Sequence, residues 1–183
     1  MFTDLTVAGD VKLNLIDAGH ADELFALVER NRGQLRQWLP WLDFNRSVAD
    51  SLSFIQNAIS LAKTKKGAVY EIRRHGTLIG VIGYNSIDSL HGVCEIGYWL
   101  DESHQRQGIV TRCTTELVRY AFEHLGMNKV AISVAVDNTA SRAVPEKLGF
   151  TVEGRSREAE WLYDHHVDHV LYGLLRKEWT GVQ

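Results

Sequence analysis

Residues 11–16 alternate apolar and polar side chains (Val-Lys-Leu-Asn-Leu-Ile), the period of a strand with one face buried. Behind Asp17, a capping residue type, the spacing becomes helical: Ala21, Leu24, Phe25, Leu27 and Val28 share a face, and Gly33 is the expected break. A short apolar and aromatic segment, residues 35–42, is stopped by Pro40. Ser47 with Asp50 forms a loose capping pair before a second helix carrying Leu52, Ile55, Ala58, Ile59 and Ala62, which should end before Gly67. Residues 68–73 and 77–85 read as strands joined by a hairpin turn at His75-Gly76. After a turn at 89–92, residues 93–101 read as a strand. Residues 111–126 read as a helix with Leu117, Val118, Ala121, Phe122 and Leu125 inward, and residues 129–136 as a buried strand. A short helix follows 137–141 and stops at Gly149-Phe150, and residues 151–175 read as two strands around Tyr163-Asp164-His165.

This order places the chain in the α+β class, with a single mixed, mostly antiparallel sheet of about seven strands and helices on both faces. The strand ending at Asp101 and the one starting at Lys129 are joined by a helix, so they should run parallel. No linker, repeat or low-complexity stretch divides the order, and residues 1–183 read as one domain. Hydrophobic residues at 45% and charged residues at 23% give a globular balance. A net charge of −3 argues against a protein built mainly to grip nucleic acid. Cys94 and Cys113 are too few for a zinc site or a disulfide framework, which favours a reducing compartment. Met1 leads into polar and acidic residues, not a signal segment, and no apolar run approaches the roughly 20 residues of a membrane span. A cytoplasmic protein is therefore expected.

Chemistry is concentrated at Gln105-Arg106-Gln107-Gly108-Ile109-Val110, between a predicted strand and a predicted helix. A loop entering a helix through glycine can turn several unpaired N–H groups, backed by the helix dipole, toward one anion. Two readings stand: a seat for a pyrophosphate, or an ordinary strand-turn-helix connection.

With Gln105-x-x-Gly108 at the head of the third helix, and Asn138-x-x-Ser141 followed by Leu148-Gly149-Phe150, the chain resembles the GNAT superfamily of acyltransferases over nearly its whole length. Ile96-Gly97-Tyr98-Trp99-Leu100, Trp38-Leu39-Pro40-Trp41 and Glu158-Ala159-Glu160-Trp161 are similar to the Rim-type branch, whose members acetylate the N-terminal amine of ribosomal proteins. The resemblance implies a GNAT fold with a splayed parallel strand pair and acetyl-CoA as cosubstrate, without a metal. It implies cofactor binding by Leu100, Gln105, Arg106, Gln107, Gly108, Ile109, Val110, Asn138 and Ser141. It further implies Glu160 as the base that deprotonates the amine, and Ser141 as the acid that protonates the departing thiolate.

Val110 stands where the family usually has Gly or Ala, and Pro145 removes one hydrogen bond from the helix after Asn138. Asn138 and Ser141 also suit plain helix capping. Glu160 has a competing outcome in solvent or in pairing with Arg155 or Arg157; burial beside Trp161 would favour the base. Tyr163 is a second candidate acid, ranked below Ser141. Trp38, Trp41 and Phe44 either wall an acceptor groove, with Arg36 and Arg46 to meet an acidic peptide, or pack as core. Glu95 either contacts the acceptor amine or points to water, and Tyr98 is a further candidate for acceptor contacts. His165, His166 and His169 lack any familiar ligand spacing and read as surface histidines. Two other functions stay open: acetylation of a small amine such as a polyamine or amino sugar, and a CoA-binding module without catalysis. A homodimer through the tail strands or a sheet edge is compatible with the pattern.

Overall fold

The computed structural model describes residues 2–7 and 9–181; Met1, from which the lack of a signal segment was read, and the last two residues of the 1–183 domain lie outside them. Twelve regular elements form one mixed sheet with helices on both faces. In chain order they are β1 (Leu5–Thr6), β2 (Val11–Leu15), α1 (Ala21–Leu35), α2 (Val48–Lys63), β3 (Ala68–Arg74), β4 (Thr77–Asp88) and β5 (Val93–Leu100). Then follow α3 (Ile109–Glu123), β6 (Lys129–Ala135), α4 (Thr139–Lys147), β7 (Thr151–Leu162) and β8 (His165–Leu175). The sheet has eight strands in the order β1-β2-β3-β4-β5-β6-β8-β7. That is one more than the pattern predicts, because β1 is two residues long and too short to show a period; it pairs Leu5 with Leu13.

Gly33 does not end α1, which runs on to Leu35. Leu35 packs with Val28 and Leu42 in a small core of its own. Burying a leucine contributes about 1.5–3 kcal/mol, more than the roughly 1 kcal/mol that a helical glycine costs. Asp17 caps the short 3-10 turn Ala18–His20 ahead of α1, through an acceptor bond from the Gly19 amide. Pro40 opens a 3-10 turn, Pro40–Phe44, instead of closing a segment, since its fixed φ suits a first helical position. Ser47 caps α2 by accepting from the Asp50 amide, as its spacing predicts.

α1 and α2 cover one face of the inner strands, with Leu24, Leu27, Ile55 and Ala58 on Leu78 and Val81. α3 covers the other face, where Leu117 and Val118 pack with Tyr84, Ile96 and Val130 in the main core. β5 and β6 are parallel and pair only from Val93–Lys129 to Glu95–Ala131. Beyond those three pairs they part, and the gap positions everything that follows.

Candidate active site

The cleft starts at the loop before α3. Gly108 holds a left-handed conformation (φ 71°) at the N-terminus of α3, and no side chain caps the helix there. The first-turn amides thus face the cleft with the positive end of the helix dipole behind them. Arg106, also left-handed (φ 59°), adds a cation at the same mouth. Asp101 anchors this loop. Its carboxylate accepts from Ser103 N and Oγ and from Nε and Nη2 of Arg30 on α1. Burial works against its charge, but these bonds outweigh it and hold the carboxyl down at about 2. Asn31, one residue further along α1, accepts from the Glu102 amide at 3.0 Å. Neither Asp101 nor Asn31 carried a sequence signal, because each acts on a partner 71 positions away.

Gln105 folds back and donates to the Leu100 carbonyl at 3.3 Å. Gln107 turns away, accepting from Arg74 at 2.7 Å, so its side chain braces the loop against β3 and does not line the cleft. Leu100, Gln105, Arg106, Gly108, Ile109 and Val110 do line it, in a volume of about 640 Å³. That size lies within the range of small-molecule sites. Gln34, at the end of α1, and Trp38, in the turn that follows it, form another wall. Gln34 Oε1 is buried with no hydrogen-bond partner among the described residues, an acceptor left for a donor from a ligand.

The far wall is the start of α4. Asn138 caps that helix by accepting from the Ser141 amide at 3.1 Å, which leaves its amide nitrogen for another use. Pro145 cannot donate to the Ser141 carbonyl four residues earlier. The Tyr98 hydroxyl replaces that bond at 2.8 Å, reaching from β5 across the gap. Burial pushes the Tyr98 hydroxyl above its ordinary value, so it stays a donor. The Ser141 hydroxyl has no hydrogen bond among the described residues and lines the cleft. Tyr98 thus holds the backbone that carries Ser141.

The remaining candidates lie outside the cleft lining. Trp41 packs on Trp99 with ring centroids 6.4 Å apart, a core position. Phe44 is 81% exposed. Arg36 bonds Asp43 and stacks 3.8 Å over the Tyr163 ring, and Arg46 donates to the Asp43 carbonyl. The Tyr163 hydroxyl donates to the Leu39 carbonyl at 2.5 Å, tying the β7–β8 turn to the segment after α1.

Glu160 sits on β7 next to neither arginine. Arg155 bonds Asp168 instead, and the neighbour of Glu160 is His169, 3.5 Å away. Trp161 does not bury Glu160: it is 53% exposed, stacks edge-on against His166, and by strand alternation faces the other side. Between Ser156 and Glu160 the β7 ladder is irregular, spending four residues against two of β8, with Glu158 left-handed. This bulge places Glu160 opposite Val167, on the same side of β8 as His169. Glu95 belongs to the same face; burial raises its carboxyl, and the nearby His169 partly offsets that. Among the described residues, no three His, Cys, Asp or Glu side chains gather where a metal could be held.

An anion-ready helix start thus lies at one end of a gap in the sheet, with a serine on one wall and a carboxylate on the open face. Residues 10–151 match the family model described as acetyltransferase (GNAT) domain. The chain is 35% identical to the YdaF protein of Bacillus subtilis (strain 168), with 99% of each chain covered. It is 33% identical to the ribosomal-protein-serine acetyltransferase of Escherichia coli (strain K12), covering 96% of this chain and 98% of that protein. A solved RimL, the ribosomal L7/L12 alpha-N-protein acetyltransferase in complex with coenzyme A, superposes with a TM-score of 0.92 at 30% identity, covering 96% and 99% of the two chains. This protein belongs to the GNAT acetyltransferase family and is an N-acetyltransferase that uses acetyl-CoA.

Proposed function

We propose that the chain acetylates the N-terminal α-amine of a protein, a ribosomal protein foremost, by direct attack of the amine on the thioester. The observation that carries this reading is the parting of β5 and β6 after Glu95 and Ala131. It opens a path from the α3 amides to the face of β6, β8 and β7 that carries Glu160. No helix among the described residues packs on that face, and Leu171 there is 37% exposed. An open face suits the end of a polypeptide better than an enclosed small molecule. The family relationship to ribosomal-protein acetyltransferases supports the same acceptor.

Thioester activation is the chemistry that acetyl-CoA brings when bound. The amides of Ile109 and Val110, with Arg106, would hold its phosphates; the free amide of Asn138 would meet the arm. Glu160 takes the proton of the attacking amine, directly or through water, and Ser141 relays a solvent proton to the departing sulfur. An α-amine loses its proton about 3 kcal/mol more easily than a lysine side chain, so a carboxylate is a sufficient base. Mass spectrometry of peptides with free N-termini, and of polyamines and amino sugars, incubated with acetyl-CoA tests the acceptor. Acetylated peptide α-amines are expected. Products confined to small amines would replace the protein acceptor, and tight CoA binding with no product at all would mark a binding module.

A further inference from the structure

His169 was read from sequence as a surface histidine, yet its side chain is only 17% exposed and meets polar groups from two strands, with a third strand's carboxylate nearby. From β6, Ser133 Oγ lies 2.9 Å from its Nδ1. From β7, Glu160 Oε2 lies 3.5 Å from its Nε2, while Ser156 is the backbone partner of His169. From β5, Glu95 is close enough to feel its charge. Nε2 is buried and has no hydrogen bond among the described residues, so Glu160 is the group it faces. A buried ring nitrogen left unbonded beside a carboxylate is costly in a resting protein, unless a proton is to be shared between them.

We propose that His169 is the proton acceptor behind Glu160: it receives at Nε2 the proton that Glu160 removes from the attacking amine, while Ser133 fixes the ring through Nδ1. This rests on the reading of Glu160 as the base. The N–H bond of the amine breaks and an O–H bond forms on Glu160. That bond then breaks as Nε2–H forms, its electron pair returning to the carboxylate. The resulting imidazolium lies beside Glu160, with Glu95 near enough to feel its charge, and afterwards releases its proton to water. A second proton, from solvent through Ser141, completes the thiol. For a neutral amine the account closes: one acetyl group moves from sulfur to nitrogen, and the proton given to water through His169 matches the one taken up through Ser141.

A carboxylate alone would have to discharge its proton before the next amine arrives; paired with the imidazole it is restored at once. Glu160 and His169 thus act as one unit, with His169 a positioning residue that touches no substrate. The bulge in β7 has the same purpose in this arrangement, since in unbroken register Glu158 would stand opposite Val167.

The test uses the full chain with acetyl-CoA and the amine found by product analysis. His169→Gln should lower kcat about 10- to 100-fold, leave KM for acetyl-CoA unchanged, and flatten the pH profile of kcat across the neutral range. The double variant Glu160→Gln/His169→Gln should be no slower than Glu160→Gln alone, as expected of residues acting as a unit. A His169→Gln enzyme with the wild-type rate and profile, beside a slow Glu160→Gln enzyme, overturns the relay and leaves Glu160 as base. A Glu160→Gln enzyme at full rate overturns both. Should His169→Gln lose its thermal shift with CoA, Ser133→Ala decides: it keeps Glu160 and His169 but frees the ring, and a few-fold lower kcat with KM for acetyl-CoA unchanged is expected, whereas an unchanged kcat refutes the idea.

Discussion

Two carboxylates near the cleft show how one side-chain type takes opposite roles. Asp101 is held at about 2, below its ordinary 3.8, by Ser103, Arg30 and Asn31 against the effect of burial. A lowered folded value stabilises the protein above pH 3.8, and this is lost as pH falls through about 2. Asp101→Asn should therefore melt earlier than wild type at neutral pH, with the gap closing over that acid range in chemical or thermal denaturation. Glu95 has the reverse sign. Burial raises its carboxyl above 4.5, so its contribution is fully present below 4.5 and is lost as pH rises through the higher folded value. Glu95→Gln should be more thermally stable than wild type at neutral pH and indistinguishable from it below 4.5. A thermal scan in which Glu95→Gln melts earlier at neutral pH would show the carboxylate to be paired, not merely buried.

At the scale of elements, α4 depends on a strand it never pairs with. Pro145 leaves the Ser141 carbonyl without its helical donor, and Tyr98 supplies one from β5. Tyr98→Phe should cost about 1–3 kcal/mol, the expense of an unsatisfied buried carbonyl. In a Pro145→Ala background the helix regains its own N–H, and the same substitution should cost much less. Equal costs in both backgrounds, measured by urea denaturation, would break this link. α1 offers a simpler case: a Cβ on Gly33 meets nothing within 4 Å, and the helix continues through it. Gly33→Ala should raise stability by about 0.5–1 kcal/mol. The elements themselves were largely legible, because α2, α3 and β2 to β6 carry clean periods of their own. β1 and the persistence of α1 were not, since a two-residue strand has no period and Gly33 is outweighed by Leu35, whose partners Val28 and Leu42 come together only in the fold.

At the scale of the whole molecule, the sheet works as a divider with one opening. α1 fastens the loop before α3 through Arg30, Asn31 and Asp101, the β7–β8 turn fastens the segment after α1 through Tyr163, and the gap lies between these two anchors. Acetyl-CoA should therefore raise the melting temperature, since it binds the folded state alone. Gly108→Ala should shrink that shift, because alanine at φ 71° is strained by about 1–2 kcal/mol and the loop would relax away from the phosphates. A full-sized shift in the alanine variant would remove the glycine's special conformation from the account.

The sequence by itself determined the α+β order, the parallel pair and the capped, glycine-led start of α3, because each depends on neighbours within a few positions or on one helical crossover. Through motifs it also put forward Ser141 and Glu160 as the proposed acid and base. Only the tertiary structure decided what surrounds them: Tyr98 beneath Ser141, His169 beside Glu160, Asp101 under the loop, and Gln107 and Trp41 away from the cleft. Those assignments depend on strand register and on a bulge, where a shift of one residue turns a side chain to the opposite face, and local patterning does not carry that information.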